Sequence, residues 1–83
     1  MQKQLQELAG LLPAVRVLGD TGKVIADITA DSRVVQQGSL FIALKGAHVD
    51  GHTFLPKAAE AGAVAALVKD MPTVVPDGLT LLQ

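Results

Sequence analysis

Two short apolar runs with a helical stretch between them limit this fold more than any other feature. Leu40-Phe41-Ile42-Ala43-Leu44 is a continuous run of five, and AVAALVK, residues 63 to 69, is the second. Runs this short, apolar on both parities, predict strands covered on both faces. Between them, around Thr53 to Ala61, Phe54, Ala58 and Ala61 share one helical face. Pro56 is tolerated in the first turn, where a missing N–H costs nothing, and Gly62 is placed to stop the helix. Strand, helix and strand in that order form a parallel, right-handed crossover. The predicted class is therefore α/β, a small mixed sheet flanked by helices.

The rest of the chain fits around that unit. Leu5, Leu8 and Leu12 fall at i, i+3 and i+7, which predicts a helix over residues 3–12, weakened by Gly10 and ended by Pro13. A short strand is expected over 14–18, and Gly19-Asp20-Thr21-Gly22 reads as a turn. From Val24 to Asp31 the pattern alternates. Ala26, Ile28 and Ala30 lie on one side and Asp27, Thr29 and Asp31 on the other, as in a half-buried strand. Loops are expected over 34–39, 45–52 and 71–78, and a last strand over 79–82. A chain that stops inside a strand reads as a piece of a longer protein.

Totals narrow the function. At 83 residues the chain is one domain, 1–83, and a domain of that size buries about 60–65% of its unfolded surface. That leaves one modest core and no room for a deep site taking several substrates. Seven basic and eight acidic residues give a net charge of −1 with no basic stripe, so nucleic acid as a partner has no electrostatic support. Phe41 and Phe54 are the only aromatics, too few for a base-stacking platform. The absence of cysteine removes disulfides, thiolate catalysis and cysteine-ligated zinc. The N-terminus lacks an apolar signal core, and no apolar run approaches the ~20 residues of a membrane span. The expected setting is soluble and cytoplasmic.

Each chemical motif has a plain structural alternative. GDTGKV, residues 19–24, contains Gly22-Lys23, but its glycines are three apart and Val24 stands where a phosphate loop needs Ser or Thr. It reads as a turn, and ATP binding there is rejected. His48 and His52 are four apart, a metal spacing when both lie on one helix face, but Gly51 intervenes and only Asp50 stands near, so no metal site is expected. Ser32 lacks the Gly-x-Ser-x-Gly elbow of a nucleophile, and no catalytic residue is assigned. Asp31-Ser32-Arg33 is either a local turn, with Asp31 bonding backbone amides and pairing with Arg33, or one wall of a polar site. If the strands ending at residues 31 and 44 are parallel neighbours, both following loops lie at one sheet edge, where open α/β sheets bind ligands. Gly46 and Gly51 then let backbone amides approach a ligand. The next helix aims its N-terminus there, and Arg33 and Lys45 add positive charge, a setting for an anion such as a diphosphate.

The ordered series is more specific than its parts. Asp31-Ser32-Arg33, Gly38, Leu40-Phe41-Ile42-Ala43-Leu44, Lys45-Gly46, Asp50-Gly51-His52 and Gly62-Ala63 follow one another without a gap over about half the chain. The series resembles the N-terminal domain of the Mur ligases. The preceding LQELAGLL looks most like the branch that adds the third peptide residue, diaminopimelate or lysine, to UDP-N-acetylmuramoyl-dipeptide. The branch adding D-alanyl-D-alanine is the nearest competitor.

The resemblance implies the N-terminal domain of a three-domain, ATP-dependent ligase of peptidoglycan precursors. This segment would hold the UDP portion of the UDP-N-acetylmuramoyl peptide and make no bond itself. ATP and magnesium belong to a central domain without counterpart here, so no cofactor is expected in this segment, and the remaining domains of the parent chain are its expected partners. By position, the implied substrate contacts are Ala30, Ser32, Ala47, His48 and Val49, with Asp31, Arg33 and Gly46 in support. Some relatives carry histidine directly after that glycine, where this chain has Ala47; the loop's role then rests on its backbone. A stand-alone regulatory module binding a nucleotide-sugar or a protein is the alternative, and a purely structural module a third.

Overall fold

The computed structural model describes residues 2–11 and 16–83. Within them the chain runs Lys3–Gln4 (β1), Leu5–Leu11 (α1), Val17–Leu18 (β2), Val24–Ile25 (β3), Asp27–Thr29 (β4), Ser39–Ile42 (β5), Leu55–Glu60 (α2), Ala65–Leu67 (β6) and Thr80–Leu82 (β7). Single 3-10 turns at Ser32–Val34 and Gly51–Phe54 follow β4 and precede α2.

Strand periodicity explains the core. Successive side chains of a strand point to opposite faces. Phe41 of β5 with Ala43 just after it, Ala66 and Val68, and Leu79 and Leu81 therefore meet on one face, where Leu55 and Ala58 of α2 cover them. Leu40, Ala65 and Leu82 take the other face, against Leu5 of α1 and Ile25 of β3. Both faces are covered, which is why these strands read as unbroken apolar runs. Phe41, 1% exposed, is the largest buried side chain, and burial of such a ring contributes about 1.5–3 kcal/mol.

The main sheet has the order β2-β7-β6-β5-β4. The pairs β4–β5, β5–β6 and β6–β7 are parallel, and β2 runs antiparallel to β7. The predicted parallel strand-helix-strand unit is present as β5-α2-β6 in a mixed sheet. A separate antiparallel ribbon joins β1 to β3, with Lys3 opposite Ile25.

The helix expected over 3–12 begins at Leu5, Lys3–Gln4 being a strand, and two further local expectations change. The alternating stretch 24–31 is not one strand. It breaks at Ala26, whose N–H donates to the Gly38 carbonyl (2.9 Å), so β3 pairs with β1 and β4 with β5. The inward set changes with the break: Ile25 is fully buried, whereas Ile28 on the edge strand β4 is 43% exposed. Ile28 lies in a small apolar groove whose lining includes Leu8 and Leu11 of α1 and Leu67 of β6. The helix expected over 53–61 begins instead as the turn at Gly51–Phe54 and becomes α-helical at Leu55, with Pro56 in its first turn. Leu12, Pro13 and the start of the strand expected over 14–18 lie outside the described residues; Val17–Leu18 is the described part of that strand. No helix among the described residues is long and apolar enough to cross a membrane.

Candidate functional site

Because β4 and β5 are parallel neighbours, the segments leaving their carboxyl ends rise at one edge of the sheet. The first wall follows β4. Asp31 caps the turn at Ser32–Val34, its Oδ1 accepting the Arg33 N–H (2.9 Å), while its own N–H donates to Thr29 Oγ1 (3.0 Å). The Arg33 side chain folds back as a two-pronged donor, Nε to Oδ1 at 3.0 Å and Nη2 to Oδ2 at 2.9 Å. Both readings of Asp31-Ser32-Arg33 thus meet in one place, a self-capped turn that also forms a wall.

That pairing predicts a titration. The Arg33 side chain, and after it the Arg33 backbone N–H, lowers the Asp31 carboxyl to about 2. A lowered carboxyl makes the pair's contribution complete above the usual carboxylate range and lost as pH falls towards 2. Carboxyl-detected NMR is expected to place the Asp31 midpoint near that value, and Arg33→Ala to move it back up. An unmoved midpoint in the variant would assign the shift to some other cause.

The second wall follows β5. Lys45 and Asp50 form an isolated antiparallel bridge, and Gly46 N–H donates to the Val49 carbonyl (2.8 Å), which leaves Ala47 and His48 exposed at the tip of the loop. Gly51 is buried, its N–H donating to the Leu44 carbonyl at 2.7 Å. Asp50 caps the turn at Gly51–Phe54 by accepting the His52 N–H (3.0 Å) and also contacts His52 Nδ1 (2.7 Å). These contacts, the backbone bond foremost, hold the Asp50 carboxyl below its ordinary range. His52 Nε2 accepts the N–H groups of Lys69 (3.1 Å) and Asp70 (3.2 Å), so the ring proton lies on Nδ1 and donates to Asp50. His52 therefore ties the loop to the end of β6.

An open cleft of about 590 Å³ lies between the walls. Ala30, Ser32 and Val49 line it, as do Asp31, Arg33 and Gly46. Ala47 and His48, at the loop tip, are outside the lining. Leu44 and Gly51 line it too, and Phe54 at the end of the turn with Lys57 of α2, both missed by sequence reasoning, complete it. Their spacing of three residues, one helical face, was the available signal. Other expectations fail on geometry. The Gly46 and Gly51 amides are already bonded within the loop, and the Asp50 carboxylate fills the turn's N-terminus, so neither offers donors to an anion. Lys45 is not in the lining. Both His52 nitrogens are engaged, so neither serves as a base for Ser32. The cleft's apolar floor and charged rim suit the holding of a small polar molecule.

The turn at residues 19–23 does not fit the phosphates of ATP. Gly19–Gly22 is an Asx turn, Gly22 N–H donating to Asp20 Oδ1 (2.8 Å). The Lys23 amine is spent on the carbonyls of Val64 (3.0 Å) and Gly78 (2.6 Å). Among the described residues no three histidine, aspartate or glutamate side chains come together as a metal site.

Comparison with known proteins supplies the wider frame. The model of the Mur ligase family, catalytic domain, matches residues 24–77. The chain is 39% identical over 79 residues to the UDP-N-acetylmuramoyl-L-alanyl-D-glutamate–2,6-diaminopimelate ligase of Bacteroides thetaiotaomicron, covering 95% of this chain and 16% of that protein. It is 43% identical over 82 residues to the ligase of the same name from Chlorobaculum tepidum, again covering 95% and 16%. Its fold matches the UDP-N-acetylmuramoylalanyl-D-glutamyl-2,6-diaminopimelate–D-alanyl-D-alanyl ligase of Acinetobacter baumannii with a TM-score of 0.81 at 24% identity, over 99% of this chain and 18% of that one. The chain thus spans about a sixth of the length of the curated relatives it matches.

Proposed function

The chain belongs to the Mur ligase family, and on that premise we propose that its cleft holds the UDP part of UDP-N-acetylmuramoyl-dipeptide. The segment positions this substrate for a cytoplasmic, ATP-dependent ligase of the diaminopimelate-adding branch. Other domains of the parent chain supply ATP, magnesium and the bond-making groups. One observation carries the reading: the Asp31-Ser32-Arg33 turn and the loop 45–51 leave adjacent parallel strands and enclose one concave site. Ala30, Ser32 and Val49 are the proposed contacts, Asp31, Arg33 and Gly46 hold the walls, and Ala47 and His48 reach the ligand from the loop tip. The proposed mechanism is positional: an apolar floor receives the base, a charged rim receives the phosphates, and the remainder of the substrate extends towards the parent chain's other domains. The relatives' printed names favour this branch over the one adding D-alanyl-D-alanine.

A two-dimensional amide NMR titration with UDP, and AMP as control, tests the reading. Shifts at residues 30–33 and 46–52 with UDP alone are expected. No movement there at millimolar UDP would remove the binding role from this segment.

A further inference from the structure

The cleft's charges do not cancel, and the imbalance falls on one residue. Three charged side chains line it: Asp31, Arg33 and Lys57. Arg33 is bound to Asp31 through two side-chain hydrogen bonds, an internally neutral pair. Asp50, just outside, is satisfied by His52. The Lys57 side chain makes no hydrogen bond or ion pair among the described residues, and α2 fixes its stem because Leu55 and Ala58 on either side are buried. The backbone amides that could have replaced a cation, those of Gly46 and Gly51, are used within the loop.

We propose that Lys57 is the specificity-determining cation of the cleft, selecting the diphosphate of a nucleoside diphosphate over the uncharged nucleoside. This rests on the uridine-diphosphate reading of the site and assigns the charge in it. An ammonium on a flexible stem suits a phosphate group as a point charge. Arg33, held in a fork geometry by Asp31, is a wall first and offers only its remaining N–H groups.

Amide NMR titrations of the 83-residue chain with UDP and with uridine, on the wild type, Lys57→Gln and Lys57→Arg, test it. The wild type is expected to bind UDP more tightly than uridine. K57Q should lose about three- to five-fold in UDP affinity, the range of an exposed charge pair, and bind UDP and uridine alike. K57R should keep the preference, and added salt should erode it in both the wild type and K57R while changing the UDP affinity of K57Q little. If K57Q keeps the wild-type preference for UDP, Lys57 is not the selecting cation, though the cleft reading stands. The same conclusion follows if K57Q weakens both ligands equally, since the loss is then structural. A wild type that binds neither ligand overturns both the assignment of Lys57 and the uridine-diphosphate reading.

Discussion

Gly62→Ala is expected to be the most damaging single-methyl substitution in this chain, costing about 3 kcal/mol or more. Two causes act together. Gly62 has a φ of +112°, a conformation that L-residues rarely adopt. A Cβ there would also stand 2.8 Å from the Gln37 Cα and 2.9 Å from its backbone nitrogen. Neither atom can rotate aside, because the Gly38 N–H donates to the Gly62 carbonyl at 3.0 Å and locks the two loops together. A domain of this size has on the order of 5–10 kcal/mol of stability in all, so the loss is a large share of it. Urea unfolding of three variants separates the causes. Gly10→Ala adds a methyl that meets nothing within 4 Å, at an ordinary φ, and should be neutral or stabilising by about 0.5 kcal/mol. Gly78→Ala meets nothing within 4 Å but has a φ of +77°, and should show the conformational cost alone, about 1 kcal/mol. Gly62→Ala should exceed Gly78→Ala by the cost of the contact with Gln37. Equal losses at positions 62 and 78 would mean that the loop over Gly62 yields freely.

The strands flanking α2 were legible because their chemistry is redundant. Both faces of β5 and β6 are covered, so apolar residues fill both parities and no partner need be known to read them. The stretch 24–31 was misread because its alternation is genuine but its pairing is not local. Which side of Ile25 or Ile28 is inward depends on β1 and β5, some twenty and twelve residues away in sequence, and on Ala26 bonding to Gly38. Asp31-Ser32-Arg33 was readable as polar and capping, since Asx geometry is set within three residues. Where loop donors point was not readable. Glycine permits an amide to face a ligand, but at Gly46 and Gly51 a carbonyl of the same loop takes that amide first. Lys57 was not legible because loop chemistry alone does not show that a helix packed beneath the loops lends the cleft its remaining cation.

Gly51→Ala is expected to weaken the fold and remove UDP binding together, because one glycine joins the sheet to the cleft. A Cβ on Gly51 would lie 2.7 Å from the Leu44 nitrogen, 2.9 Å from its carbonyl oxygen and 3.1 Å from the Ala43 Cα. All three are backbone atoms continuing from β5, so the loop must move and the strand cannot. The Gly51 N–H to Leu44 bond is lost with that movement. The expected cost is about 2–3 kcal/mol, the range for one methyl forced into a packed site. The displacement cannot be relieved at the far side, because His52 holds the following turn against Lys69 and Asp70. The loop is therefore pushed as a body, carrying Val49 and Gly46 away from the Asp31–Arg33 wall. UDP-induced shifts at residues 30–33 and 46–52 should then vanish in G51A, even in urea-free buffer where the chain remains folded by its amide spectrum. Gly78→Ala is the control, since Gly78 does not line the cleft. It should lose stability and still bind. Wild-type UDP shifts in G51A would show that the second wall tolerates displacement and that the cleft's geometry is not set by the Leu44–Gly51 contact.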